Sequence, residues 1–269
     1  MKSVYELGED EKRMRLIYYN SELVLDLFRR LDVNFEYRSF GVIPTGRERG
    51  GRIILKKLHE NINIQTETEL TDFIKDRDLF RVKLKKEGRE ILVESKYLVL
   101  ATGGYGGSFK YNDNFRYKNQ KVFDMVWKNR GKVINLNCIF VHPFGYCKGR
   151  KILIGSETKE GEFVDEKGKF IFDKETRNLI KNNDYHEIFD VLIKCEEDKI
   201  QSRGRIYFEE SNRRLEIIPT VHYTAGGIKA DEIGEVIGCK NLYAIGESRA
   251  DGSKREGRFP WISFYFCDC

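Results

Sequence analysis

Two short apolar strands that run straight into glycine constrain the fold of this chain more than any other feature. They read Tyr97-Leu-Val-Leu-Ala-Thr-Gly-Gly104 and Leu242-Tyr-Ala-Ile-Gly-Glu247. Glycine has no Cβ, so the backbone N–H groups beside it can adopt positive φ and approach a ligand closely. Strand ends of this kind are typical of sheets that face a phosphate or a flat cofactor. The pair therefore predicts one cofactor crevice that is closed by distant parts of the chain.

Composition narrows the class of protein. A length of 269 residues can hold one large or two modest domains, and 40% hydrophobic with 34% charged residues indicates a globular chain. The 48 Lys and Arg are interspersed with 43 Asp and Glu, which argues against a nucleic-acid partner. No apolar stretch approaches the roughly 20 residues that span a bilayer. With no signal-peptide core either, we expect a cytoplasmic protein.

The six cysteines show no C-x-x-C pair and no metal-ligand spacing, so we expect reduced thiols and no metal site. The closely spaced pair at the end of the sequence, Cys267 and Cys269, reads as two thiols in a frayed tail rather than as a redox pair.

The spacing of apolar residues predicts an α/β chain with α+β elements. Glycine and proline predict a loop over 41–51, and 160–169 reads as a hairpin. The charged stretch 142–220 reads as an inserted subdomain between 1–141 and 221–269. Helices are predicted over 10–31, 52–61, 121–130 and 183–194, and strands over 62–66, 78–85, 90–93, 97–101 and 133–141.

Two of the four histidines lie at the borders of the predicted insert, beside prolines that fix the chain. They are His142, in Val-His-Pro-Phe, and His222, in Pro219-Thr-Val-His-Tyr-Thr-Ala-Gly-Gly-Ile228. Histidines at two hinges are well placed to face a ligand in a cleft, although a lone histidine is often structural or solvent-exposed. Arg258 is suited to bind a carboxylate, or is one more basic residue of a basic loop.

These segments together resemble the flavoprotein family of succinate dehydrogenase, fumarate reductase and L-aspartate oxidase. The segment at 219–228 is very close to the family's P-x-x-H-Y-x-x-G-G-I, the most specific match. The other matching segments, in the same order as in the family, are Leu98-Val-Leu-Ala-Thr-Gly-Gly104, Phe140-Val-His-Pro-Phe144, Ser156-Glu-Thr with Val164-Asp-Glu-Lys-Gly-Lys-Phe170, and Asn241-Leu-Tyr-Ala-Ile-Gly-Glu247.

The resemblance implies an FAD-binding Rossmann-like domain that is incomplete and carries an inserted capping subdomain. It implies FAD as cofactor and hydride transfer between flavin N5 and a small dicarboxylate or amino-acid substrate. His142, His222 and Arg258 match the substrate-binding positions of the family. The positions that match FAD contacts are Ala101, Thr102, Gly103, Gly104, Gly246, Glu247 and Ser263.

Several departures from the family bear on activity. The N-terminal βαβ unit with its G-x-G-x-x-G fingerprint does not occur, so we expect FAD binding to be impaired unless a second chain supplies that part. The arginine that donates a proton in the family is replaced in an Asn183-Asp184-Tyr-His-Glu stretch, where His186 is a weak substitute. The Arg258 loop has also lost the histidine and asparagine of the family. The alternative is therefore a non-catalytic remnant or binding module without stable FAD binding.

Overall fold

The computed structural model of the protein describes residues 19–20, 22–38, 41–45, 50–60, 62–114, 120–153, 157–182, 189–201 and 204–250. The chain divides into two compact units, a first unit at Asp10–Lys96 and a second unit formed by Met1–Glu9 with Tyr97–Cys269. The predicted domain borders at 141 and 220 remain predictions. None of the helices within the described ranges is long and apolar enough to cross a membrane.

The described residues of the first unit form two amphipathic helices, a hairpin and a three-stranded antiparallel sheet. Two side chains of the sheet, Phe73 and Phe80, are fully buried, and their ring centroids are 6.1 Å apart. A turn through Gly88, at φ 79°, connects its last two strands and supplies the positive φ that such a turn needs. The elements are α1 (Glu22–Arg30), β1 (Phe35–Arg38), β2 (Gly41–Pro44), α2 (Gly50–His59), β3 (Thr68–Asp76), β4 (Leu79–Lys86) and β5 (Arg89–Ser95).

Two sequence predictions in the first unit are wrong. The predicted loop over 41–51 contains strand β2, because β-branched Val42 and Ile43 pair with β1, and the rest of it includes the start of α2. The predicted strand over 62–66 is irregular, and the strand begins only at Thr68. Glu67, at φ 54°, breaks extended geometry immediately before the ladder of β3 and β4 starts.

The described elements of the second unit are β6 (Leu98–Leu100), α3 (Gln120–Lys128), β7 (Val133–Ile134), β8 (Ile139–Tyr146), β9 (Lys151–Ile152), β10 (Glu162–Asp165), α4 (Lys174–Asn182), α5 (Phe189–Gln201), β11 (Ile206–Glu210), β12 (Arg213–Thr224), β13 (Gly227–Ile228) and β14 (Leu242–Ala244), with short 3₁₀ helices at Gly106–Ser108 and Gly246–Ser248. Strand β6 is the one predicted at the first glycine end. A five-stranded antiparallel sheet has the order β10-β11-β12-β8-β9. The smaller pairs are β13-β7, antiparallel, and β14-β6, parallel.

The core of the five-stranded sheet is aromatic. Phe144 of β8 stacks on Phe163 of β10 with ring centroids 4.4 Å apart, and Phe208 of β11 lies 5.1 Å from Phe163. All three side chains are almost completely buried, together with Ile180 of α4 and Leu192 of α5. This core holds β8 and β12 rigidly side by side, and these are the strands that carry the two candidate histidines.

The single strand predicted over 133–141 is interrupted. Asn135 adopts φ 55° and accepts a hydrogen bond from the N–H of Cys138, so the chain turns between β7 and β8. The two halves then pair with different strands, β13 and β12. The helix predicted over 183–194 corresponds to α5, which extends from Phe189 to Gln201, whereas residues 183–188 lie outside the described ranges.

Candidate active site

The two glycine-ended strands lie side by side in the second unit. β6 and β14 pair in parallel, with Leu242 opposite Leu98 and Ala244 opposite Leu100. The N–H of Ile245 donates to the carbonyl of Leu100 at 3.0 Å, which continues the pairing to the end of both strands. The prediction that these distant segments meet is confirmed. Because the strands are parallel, the glycine turns that follow them lie at the same end of the pair, which we call the glycine edge. In open α/β sheets, ligands bind at this carboxyl end of the strands.

The backbone conformation at the glycine edge allows a ligand to approach the peptide groups closely. Gly103 and Gly246 adopt φ of 76° and 62°, a region that disfavours side chains. A Cβ at Gly246 would meet no atom within 4 Å, so open space adjoins the backbone there. Ala101 and Thr102 are exposed as well. A flat or phosphate-bearing group could contact these peptide groups directly.

Gly104 has a different role, because it is packed against the other strand end. A Cβ at Gly104 would lie 2.2 Å from both Glu247 Oε1 and Thr224 Oγ1. Glu247 Oε1 accepts hydrogen bonds from the Thr224 N–H at 2.8 Å and from its hydroxyl at 3.0 Å. The junction of Gly104, Thr224 and Glu247 thus ties the glycine edge to the end of β12. One carboxylate oxygen of Glu247, Oε1, therefore has its hydrogen-bond partners within the protein.

The two candidate histidines are brought together on adjacent strands. His142 lies on β8 and His222 on β12, and their ring centroids are 6.0 Å apart. The register of β8 and β12 shifts between Val221 and Tyr223, at the position of His222. Such irregularities re-aim side chains, and they are common next to active sites.

His142 is buried and is held by the backbone. Its side chain is 6% exposed, and its Nδ1 accepts a hydrogen bond from the N–H of Phe144 at 3.2 Å. An Nδ1 that accepts carries no proton, so this bond assigns the neutral tautomer with the proton on Nε2. The ring also packs edge-on against Phe144, with centroids 5.8 Å apart. His142 is therefore held as an uncharged ring with its proton on Nε2.

His222 is half-exposed and is held by a carboxylate. Its Nδ1 lies 2.7 Å from Asp113 Oδ2, and because an ionised carboxylate only accepts, the ring nitrogen donates. This hydrogen bond raises the pKa of the His222 imidazole, which partial burial opposes and the charges of Asp113 and Glu247 support. His222 can therefore offer a positive charge together with an N–H donor on Nε2.

Asp113 is the site residue that the sequence did not reveal. It is separated from His222 by 109 positions, and no local pattern marks it. The only signal is a short polar run, Tyr111-Asn-Asp-Asn114, soon after the first glycine end. The structure places this run beside β12, where Asn112 bridges to Val221 in parallel.

Comparisons with known proteins agree on one family. The model of a family described as FAD binding domain matches residues 185–257. An L-aspartate oxidase of Clostridium perfringens is 28% identical over 220 residues, which covers 73% of this chain and 50% of that protein. Sdh1 of Mycobacterium smegmatis, solved in complex with UQ1, superposes with a TM-score of 0.72 at 19% identity over 93% of this chain and 53% of that one. A mutant of the FrdA subunit of E. coli quinol fumarate reductase gives a TM-score of 0.69 at 15% identity with the same coverage.

The chain is thus similar to the flavoprotein family of these proteins in both sequence and fold. FAD is the cofactor of the family, and this chain has the fold of its FAD-dependent oxidoreductases. The chain spans about half the length of the curated relatives that it matches. The resemblance inferred from the motifs is thus confirmed.

The residues at the glycine edge fit a flavin nucleotide. Open space adjoins the backbone at Gly246, and Ala101 and Thr102 are exposed, so a flat group could approach the chain there. Ser108 Oγ, in the 3₁₀ helix after β6, is buried without a hydrogen-bond partner among the described residues. Two predicted site residues, Arg258 and Ser263, lie outside the described ranges. No group of His, Cys, Asp or Glu in the part of the chain that the structure describes could hold a metal ion.

Proposed function

We propose that this chain forms part of an FAD-dependent oxidoreductase that acts on a small dicarboxylate or a related amino acid. The observation that carries the proposal is the junction of Gly104, Thr224 and Glu247. It joins the glycine edge, which fits the cofactor, to the end of β12, which carries His222. A cofactor at this edge and an anion at the histidines would then be neighbours.

The charges at the site suit a carboxylate. An imidazolium at His222 gives a charge-assisted hydrogen bond, which is stronger than a neutral one. The neutral His142 adds a second donor at a ring-centroid distance of 6.0 Å. Arg258 is proposed to bind the other carboxylate of the substrate, as its family position implies. Two cationic groups together with one neutral donor would select a dianion over a monoanion.

FAD would be held by the peptide groups of Ala101, Thr102, Gly103 and Gly246, with Ser263 proposed as a further contact. When bound, FAD supplies two-electron chemistry, because it exchanges a hydride with a substrate carbon. The residues of this chain orient the substrate carboxylate, hold a proton at His222 Nε2 and exclude water by the packing around His142. We further propose that the rest of the FAD site comes from sequence beyond this chain, in the same polypeptide or in a second one.

FAD binding can be tested with a matched pair of glycine variants. Gly246 and Gly168 both have positive φ, and a Cβ at either would meet nothing within 4 Å, so Gly→Ala causes similar backbone strain at both. We expect FAD to bind weakly to the purified chain, as measured by flavin absorbance. Gly246→Ala should weaken this binding several-fold, whereas Gly168→Ala should not change it. Equal effects of the two substitutions would contradict the assignment of the glycine edge.

Substrate turnover is tested with this chain joined to the additional FAD-binding part proposed above. His222→Ala and Arg258→Ala should each abolish fumarate- or aspartate-dependent flavin turnover, whereas His59→Ala, an exposed change on α2, should not affect it. If turnover survives both site substitutions, the substrate assignment is wrong. If the complete protein binds FAD stoichiometrically but turns over no dicarboxylate, the alternative of a non-catalytic binding module is correct.

A further inference from the structure

The segment 111–114 is hydrogen-bonded to β12 beside His222, and we call it the clamp. Its backbone joins β12 through a hydrogen bond from the N–H of Val221 to the carbonyl of Tyr111 at 2.9 Å. A second bond runs from the N–H of Asp113 to the carbonyl of Val221 at 3.3 Å. Asp113 is thus fixed to the residue that immediately precedes His222. Its carboxylate does not depend on a flexible loop for its position.

Two asparagines complete the clamp. Asn114 Nδ2 donates to the carbonyls of Val221 at 3.2 Å and His222 at 3.3 Å. Asn112 is completely buried, and its Oδ1 accepts the N–H of Asn114 at 3.1 Å. The guanidinium of Arg150 lies 3.4 Å from both the carbonyl and Oδ1 of Asn112. These contacts fix the segment on β12, so that Oδ2 of the Asp113 carboxylate is directed at the imidazole.

We propose that Asp113 is a positioning residue of the site, which fixes Nδ1 of His222 and so presents Nε2–H of an imidazolium to an anionic ligand. The inference rests on the proposed function, because it takes the ligand to be a carboxylate. The resemblance implies that the family's proton-donating arginine corresponds to Asn183 in this chain, which cannot donate a proton in the same way. The clamp supplies a different group that can hold a proton at the substrate.

Among the described residues, the charged and titratable groups near His222 come from three elements. Asp113 in the clamp favours the imidazolium, and Glu247 in the 3₁₀ helix after β14 does so more weakly. His142 on β8 faces it as a neutral ring. The hydrogen bond to Asp113 is the largest influence on the pKa of His222, which is raised. Removing the charge of Asp113 should therefore lower the pH at which His222 loses its proton.

The variant Asp113→Asn keeps the shape and one acceptor oxygen but removes the charge. Asp124→Asn, an exposed change of the same charge on α3, is the matched control. Because the chain has only four histidines, the imidazole C2–H signal of His222 can be assigned by NMR with His222→Ala. We expect Asp113→Asn to lower the pKa of His222 and Asp124→Asn to leave it unchanged. An unchanged titration in Asp113→Asn would overturn the proposal.

Fumarate binding by calorimetry gives a second measurement that a purely structural role would not reproduce. Above neutral pH, Asp113→Asn should bind fumarate about tenfold more weakly, because a charge-assisted hydrogen bond is lost. At acidic pH, where His222 is protonated in both proteins, the variant should bind as tightly as the wild type or more tightly, because a nearby negative charge is gone. Uniform weakening at every pH would mean that Asp113 serves folding only, which contradicts the proposal.

The two tests separate the proposal from the function on which it rests. If the wild type binds no fumarate at any pH although the pKa of His222 falls in Asp113→Asn, the clamp acts on His222 but the dicarboxylate assignment fails. If the wild type binds fumarate and the pH dependence is the same in both proteins, the dicarboxylate assignment stands and the role of Asp113 is refuted. In either case, circular dichroism of Asp113→Asn is the control that checks whether the variant is folded.

Discussion

His142 and His222 lie on neighbouring strands with ring centroids 6.0 Å apart, yet the protein holds them in opposite ways. A backbone N–H donates to Nδ1 of His142, whereas a carboxylate accepts from Nδ1 of His222. The first partner requires a neutral ring and the second favours a charged one. The partner of Nδ1 thus favours a neutral ring at His142 and a protonated ring at His222, although the two side chains are identical.

The largest expected effect is on stability and concerns the core behind His142, the buried histidine of the pair. Phe144→Ala should lower the free energy of unfolding by about 3–5 kcal/mol, because it leaves a cavity in the aromatic core behind His142. Phe170→Ala is the control, because Phe170 is 48% exposed and its loss should cost about 1 kcal/mol or less. Urea unfolding followed by circular dichroism measures both. Similar losses in the two variants would mean that the core does not support β8.

The next effect compares the histidines directly. His142→Ala should destabilise the protein by about 1–3 kcal/mol, because the buried N–H of Phe144 loses an acceptor. His222→Ala should cost about 1 kcal/mol or less, because its side chain is 42% exposed and water can take the place of the ring beside Asp113. The same urea experiment provides the measurement. Equal losses would mean that the two histidines contribute alike to the stability of the fold.

A substitution with a smaller expected effect tests the clamp without replacing either histidine. Asn114→Ala removes two side-chain hydrogen bonds to the backbone of β12 and should cost about 1 kcal/mol. Because Asp113 is then held less firmly, the pKa of His222 should fall, but less than in Asp113→Asn. NMR titration of the imidazole C2–H signal measures this shift. A larger shift than in Asp113→Asn would show that Asn114, not the carboxylate charge, controls His222.

The smallest effect is the pH dependence of stability. The folded-state pKa of His222 is raised above its unfolded value of about 6.5, so its pairing with Asp113 stabilises the fold fully below that pH. The contribution is lost as the pH rises through the folded-state pKa. The difference in Tm between the wild type and His222→Gln should therefore be largest in mildly acidic solution and should shrink in alkaline solution. A difference that grows with pH would have the wrong sign for this pair.

Much of the architecture could be predicted from local sequence. The two glycine ends, the helix α2 and the hairpin of β4 and β5 follow from apolar periodicity and turn residues, which act over a few positions. The errors arose where tertiary pairing overrode local signals. β2 forms in a glycine-rich segment because β1 offers a matching ladder, and the strand predicted over 133–141 breaks because its halves have different partners.

The sequence by itself determined the resemblance to the flavoprotein family and the presence of two glycine-ended strands, because motif order and backbone freedom are properties of the chain. Only the tertiary structure decided that both strands end at one edge, that Gly104 is packed while Gly246 borders open space, and that Asp113 meets His222. The physical reason is that the charge of a histidine depends on the group opposite its ring nitrogen. That group comes from a residue 109 positions away, which no local pattern can specify.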